Sequence, residues 1–138
     1  MTAGLQTHAL VKRFGGLAAT SDVSIRVERG ARHALIGPNG AGKTTLINLL
    51  TGVLAPSSGS IALDGVDITR LSVHARVRRG IVRTFQINQL FGGLTPLTTL
   101  ALAVSARRGT SRRWWRPVGS EAAVGTECDR LLERFGLA

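Results

Sequence analysis

The sequence predicts an α/β fold in which a glycine-rich loop joins a buried strand to a helix. Three observations carry this reading. Ala31 to Ile36 becomes apolar toward its end, as a strand entering a buried parallel sheet does. Gly37, Gly40 and Gly42 follow at once in a loop too short for anything but a tight turn. From Lys43 onward, Leu46, Ile47, Leu49 and Leu50 recur at helical spacing, and Gly52 supplies a stop. Ahead of these, Leu5 to Lys12 reads as a strand. Val23 to Glu28 alternates apolar and polar residues, the pattern of a strand with one face buried. The expected architecture is therefore a mostly parallel core preceded by an antiparallel β portion.

The remaining elements follow from local signals. Arg29-Gly30 and Asp64-Gly65 mark turns, Pro56 to Gly59 a loop, and Ser60 to Leu63 a short strand. Ser72 suits the cap of a short helix ending before Gly80, and Ile81 to Phe85 suits another strand. Leu97 to Ala106 and Glu121 to Phe135 read as helices. The second places Val124, Cys128, Leu131, Leu132 and Phe135 on one face. Residues 107–119, between them, read as an exposed insertion within one domain covering residues 1–138.

Composition limits the function classes. At 138 residues and 43% hydrophobic content the chain can bury a core, which argues against disorder. No stretch approaches the ~18 consecutive apolar residues of a membrane span, and no basic start precedes an apolar run as in a secretory signal. Cys128 is the single cysteine, so no internal disulfide is possible and a cytosolic address fits. The formal charge of +10 favours acidic partners: nucleotides, nucleic acid or an anionic membrane surface. Basic residues cluster at Arg76, Arg78, Arg79 and Arg83, and again at Arg107, Arg108, Arg112, Arg113 and Arg116, around Trp114 and Trp115. The second cluster reads as a solvated insertion, as a contact with membrane headgroups or a membrane subunit, since Trp and Arg suit an interface, or, as a third and poorer option, as a nucleic-acid surface, which would need its basic residues on one face. His8, His33 and His74 have no partners at metal-ligand spacing, and Asp22, Asp64 and Asp67 read as turn and cap residues.

One motif carries chemistry. Gly37-Pro38-Asn39-Gly40-Ala41-Gly42-Lys43-Thr44 fits G-x-x-x-x-G-K-[ST] without a mismatch, and Thr45 continues it. A nucleotide triphosphate presents several negative oxygens in a small volume. Glycines let the backbone curl closely around them with its N–H groups inward. The helix that follows adds roughly half a positive charge at its start. Lys43 supplies a full charge for the β- and γ-phosphates, and the Thr44 hydroxyl is a hard oxygen of the kind Mg²⁺ prefers.

The wording around the motif is similar to that of ABC-transporter ATPases. Leu35 to Leu46 closely resembles their Walker A region. Phe14-Gly15-Gly16-Leu17 resembles the loop whose aromatic stacks on adenine. Asp22-Val23-Ser24 with Gly30 resembles the strand pair ahead of Walker A. Thr51-Gly52, Pro56, Ser58-Gly59 and Asp64-Gly65 match the pattern after it. Arg79-Gly80-Ile81-Val82-Arg83-Thr84-Phe85-Gln86 is similar to the Q-loop of the branched-chain amino acid importers. Gly65 to Thr69, Leu71, His74 and Leu90-Phe91 resemble that subfamily too. The resemblance is strong over residues 8 to about 104 and weak beyond.

The resemblance implies the N-terminal portion of a P-loop nucleotide-binding domain. It implies ATP and Mg²⁺ as ligands, held by Phe14 and by Gly37 to Thr45, with Lys43 and Gln86 as catalytic residues and Thr44 and Gln86 near the metal. It further implies a second ATPase subunit, transmembrane permease subunits, and a peripheral place on the cytoplasmic face of the membrane, with no nucleic acid as partner. Its substrates are branched-chain or related amino acids. A soluble ATPase acting on nucleic acid or ribosomes, and a non-catalytic ATP-binding fragment, are the alternatives. These residues contain no LSGGQ-like signature, no Walker B Asp-Glu pair and no switch histidine. The 138-residue chain is accordingly expected to bind ATP without turning it over, and to be poorly stable. Leu97 to Leu100 also lacks the acidic or amide residue that the family carries before this helix.

Overall fold

The computed structural model describes residues 3–84, 92–109 and 121–137. They belong to two compact units divided after Thr84.

One long strand organises the first unit. Strand β1 (Ala3–Phe14) turns at Gly15-Gly16 into β2 (Leu17–Val23), pairing antiparallel from Phe14↔Leu17 to Leu10↔Val23. A two-glycine connection between strands is a hairpin geometry, so the glycines that follow Phe14 build a strand pair. Strand β3 (Arg26–Glu28) returns to the other half of β1, with Gln6 opposite Arg26. The expected strand from Val23 to Glu28 is therefore divided, and Thr7 explains why. Its Oγ1 donates to the Val23 carbonyl at 2.8 Å and accepts from the Ile25 N–H at 3.0 Å. A side chain takes up backbone groups at the break, where a ladder would otherwise be needed.

On the opposite edge, β4 (Ser58–Leu63) pairs with β1, and the Asp64-Gly65 turn leads to β5 (Val66–Asp67). Every pairing among the described residues is antiparallel, so the β portion expected at the N-terminus makes up this sheet. The parallel strands expected beside it do not appear there. Ala31 to Ile36 is irregular and exposed, with Ile36 at 87%. A strand needs a neighbour for its N–H and C=O groups, and no described strand lies alongside this run. Ile81 to Thr84 is also irregular, and Phe85 lies outside the described residues. The Ile81 N–H donates to the Arg76 carbonyl at 3.0 Å, closing the end of a helix where a ladder was expected.

Helix α1 (Lys43–Thr51) covers the sheet. Leu46, Leu49 and Leu50 share one face and are buried together with Leu10, Ile61 and Ile68. Burial of each such side chain contributes about 1.5–3 kcal/mol. Gly52 ends the helix at φ 82°, its N–H donating to the Leu49 carbonyl at 3.2 Å. Helix α2 (Val73–Arg78) starts at Ser72, whose Oγ accepts from the Ala75 N–H at 3.4 Å.

The sequence places Arg76 in a basic cluster, and the structure buries it to 1% exposure. Its guanidinium donates to four carbonyls: Leu49 at 2.6 Å, Leu50 at 2.8 Å, Thr69 at 2.9 Å and Leu71 at 3.1 Å. Two of these lie in the last turn of α1, where partial negative charge accumulates. Burial lowers the guanidinium pKa below its ordinary value, with Asp67 opposing that shift. The Gly52 backbone rests against the same group. A Cβ there would come within 2.9 Å of the Arg76 Nε, and the positive φ disfavours any other residue as well.

The second unit contains α3 (Pro96–Arg108) and α4 (Ala122–Arg134). Thr95 caps α3, accepting from the Thr98 N–H at 3.2 Å, and so does the work of the missing acidic or amide residue. Ala101, Val104, Val124 and Cys128 form a small core with Leu100 and Leu131 against it. Burial pushes the Cys128 thiol pKa up, and Asp129 and Glu127 add to the shift. Phe135 lies beyond the helix end at 66% exposure, so the apolar face stops short of it. Arg107 and Arg108, the first residues of the expected insertion, are the exposed last residues of α3 and both pair with Glu127. The insertion's remainder from residue 110, including Arg112, Arg113, Trp114, Trp115 and Arg116, lies outside the described residues.

Replacing Arg76 by Met keeps bulk but strands the four carbonyls. Chemical denaturation of Arg76→Met is expected to show a loss of about 3 kcal/mol, the order of leaving buried acceptors unpaired. A loss below about 0.5 kcal/mol, the scale of an ordinary surface change, would mean that those carbonyls need no protein donor.

Candidate functional site

The glycine-rich loop stands at the start of α1, and its residues 37–41 are exposed. It is tightly wound: the Ala41 N–H donates to the Pro38 carbonyl at 3.3 Å, and the first helical bond runs from the Leu46 N–H to the Gly42 carbonyl at 2.9 Å. Gly42 occupies the N-cap position at φ 81° without a side-chain cap, and the first turn of α1 holds no acidic residue. The leading N–H groups of a helix have no intrahelical partner. A helix start bare of side-chain acceptors suits an external anion.

Lys43 bends back over the loop. Its Nζ donates to the carbonyls of Gly37 and Pro38, each at 2.7 Å. The ammonium is thereby held at the loop, and it makes no ion pair with a carboxylate among the described residues. The next residue, Thr44, is exposed. No cluster of three or more His, Cys, Asp and Glu residues exists among the described residues. A cation here would depend on hydroxyl and phosphate oxygens. The loop's donors, charge and hydroxyl fit a magnesium-bound polyphosphate.

What the loop leans on was not legible in the sequence. A Cβ at Gly42 would lie 2.3 Å from the Ala19 carbonyl oxygen of β2. This contact seats the loop on the hairpin and restricts the position to glycine. A cavity of about 370 Å³ adjoins the seat, lined in part by Ala19, Thr20, Leu35, Ile36 and Leu46. Phe14, at the end of β1, belongs to the same hairpin and is 47% exposed. The Lys12 Nζ stands 5.2 Å from its ring centroid and donates to the Ala55 carbonyl at 2.8 Å. Gln86 lies outside the described residues.

Asn48, on α1, was also missed, although a polar residue inside the run Leu46 to Leu50 was a visible signal. Its Oδ1 accepts from the Arg83 Nη1 at 2.6 Å. Arg76 gave no comparable sign.

Comparison with known proteins is consistent across sequence and structure. The family model described as ABC transporter matches residues 20–138. The branched-chain amino acid transport ATP-binding protein BraF of Pseudomonas aeruginosa is 46% identical over 99 residues, covering 72% of this chain and 39% of that protein. The probable branched-chain amino acid transport ATP-binding protein LivG of Archaeoglobus fulgidus is 46% identical over 134 residues, covering 94% of this chain and 51% of that protein. The chain thus spans about half the length, or less, of these relatives. A crystal structure of an ATP-binding cassette of an ABC transporter in its ADP conformation superposes with a TM-score of 0.77 at 33% identity. It covers 99% of this chain and 55% of that one. A nucleotide-free ATP-binding cassette gives 0.74 at the same identity.

Two glycines of the loop separate the conformational from the steric requirement. Gly40 and Gly42 share a positive φ, at 84° and 81°, but nothing lies within 4 Å of a Cβ at Gly40. Gly40→Ala is expected to cost about 1 kcal/mol in denaturant unfolding, and Gly42→Ala at least twice that. Equal costs would show that the contact with Ala19 yields freely.

Proposed function

The chain belongs to the ABC transporter family, and from that premise we propose that it binds Mg-ATP at Gly37 to Thr45 to power solute import. The observation that carries the reading is the loop itself. It is an intact phosphate-binding motif on an uncapped helix start, with the Lys43 ammonium held across it at 2.7 Å from two loop carbonyls.

The roles follow from the chemistry of each group. The backbone N–H groups of Gly37, Pro38 excepted, through Thr45 cradle the phosphates, with Asn39, Gly40, Ala41 and Gly42 shaping the curve. Lys43 swings its charge from the carbonyls of Gly37 and Pro38 to the phosphate oxygens, exchanging neutral acceptors for anionic ones. Thr44 offers its hydroxyl to the metal. Bound Mg²⁺ supplies positive charge on the phosphate oxygens, the main requirement of phosphoryl transfer. Phe14 offers an exposed ring face for the base. Gln86 joins the metal and water network, a role carried over from the family.

The whole protein is proposed to hydrolyse ATP as a peripheral subunit on the cytoplasmic face of the membrane. There it pairs with a second ATPase subunit and with transmembrane permease subunits. Branched-chain or related amino acids are the proposed cargo, supported by the names of the relatives from Pseudomonas aeruginosa and Archaeoglobus fulgidus. No helix among the described residues is long and apolar enough to cross a membrane. Action on nucleic acid or ribosomes finds no support in these relatives.

Calorimetry with Mg-ATP tests the reading. Lys43→Ala is expected to weaken binding roughly 10- to 100-fold, the value of one or two hydrogen bonds to a charged group. Phe14→Ala is expected to cost about 1–3 kcal/mol of stacking, and Phe14→Tyr to restore it. Parent-like affinity in Lys43→Ala would remove the loop from the site.

A further inference from the structure

A cation stands over the aromatic ring at the tip of the hairpin. Lys12 and Phe14 lie two residues apart on β1, and alternate side chains of a strand project to one face. The register shifts beside Lys12 leave the extra residues on β2, so β1 keeps this alternation. The Lys12 Nζ is 5.2 Å from the Phe14 ring centroid, within the ~6 Å reach of a cation–π contact. The ring alone does not set its place. The ammonium donates to the Ala55 carbonyl at 2.8 Å, and Lys12 is half-buried. Two further bonds fasten the same stretch to β1. The Ser57 N–H donates to the Val11 carbonyl at 2.8 Å, and the Arg13 N–H donates to the Ser57 Oγ at 3.0 Å. None of the ion pairs among the described residues involves Lys12, so no carboxylate there cancels its charge.

We infer that Lys12 is a positioning and specificity-determining residue of the nucleotide site, holding the Phe14 ring by one face so that the other receives the base. The inference rests on Phe14 serving as the base platform. An aromatic ring is negative on both faces, and so is a purine, which is why rings avoid a direct face-to-face sandwich. A cation on one face draws π density toward itself and leaves the opposite face less negative. That face then accepts a neutral, π-rich base more readily and a cationic group less readily. Phe14 remains half-exposed, which leaves ring surface for a ligand. Fixing the ring before the base arrives also reduces the ordering cost of binding.

Competition calorimetry of the full chain with Mg-ATP and with Mg-tripolyphosphate, which lacks the base, tests this. The ratio of the two affinities isolates the share of the base. Lys12→Met keeps bulk but removes the charge and the donor. It is expected to bind tripolyphosphate like the parent and to lower the ratio about threefold, the factor corresponding to one exposed cation–π contact. Lys12→Arg, which keeps a cation, should restore the ratio. In a Phe14→Ala background, Lys12→Met should lower it no further. A parent-like ratio in Lys12→Met would overturn the inference. So would equal losses for both ligands, since Lys12 would then serve the fold or the loop and not the ring. A parent-like ratio in Phe14→Ala would remove the base platform itself, and this inference with it, while tripolyphosphate binding would still support the loop.

Discussion

The first unit depends on a buried cation without a carboxylate at its centre. Arg76 joins the end of α1, the turn after β5 and the start of α2 through four backbone carbonyls. A buried charge is costly unless its hydrogen bonds are met. Here the acceptors come from the negative end of a helix and from a turn, groups that themselves need donors. The same arrangement fixes Gly52, because the guanidinium occupies the space a side chain would take. With its C-terminus held there and its apolar face packed on Leu10, Ile61 and Ile68, α1 can present its N-terminus to solvent without drifting.

The opposite end of α1 is set by a contact of another kind. Gly42 meets the Ala19 carbonyl so closely that only a bare α-carbon fits. The loop is therefore supported from β2, and β2 is the hairpin partner of the strand that ends at Phe14. One hairpin supports the glycine-rich loop and carries the proposed base platform. Spacing between the two is then a property of the Gly15-Gly16 turn and its register, and not of a flexible linker.

Much of this was legible in the sequence, for reasons that differ by element. The loop and α1 combine a motif, a helical apolar period and a glycine stop, all local in the chain. The Asp64-Gly65 turn and the Ser72 cap are likewise local. Ala31 to Ile36 failed because apolarity reports burial in a sheet only when neighbouring strands are at hand. Leu17 to Val23 carries no clear strand period of its own, and its hairpin with β1 is signalled only by the paired glycines after Phe14. Arg76 was beyond reach: nothing in Arg76-Val77-Arg78-Arg79 distinguishes the arginine that turns inward. The +10 charge gives no guide here, since it describes the chain and not the placement of any one group.

The central claim is that the loop's own backbone, presented by α1, is what receives the phosphates. Titration of Mg-ATP into the isotopically labelled chain, followed by its backbone amide resonances, addresses this most directly. The account predicts the largest shifts, downfield and saturating together, at Gly40, Gly42, Lys43 and Thr44, because their N–H groups would exchange water for phosphate oxygens. Saturable binding whose largest shifts fall instead around Arg26 and Arg29, with the loop amides unmoved, would contradict it.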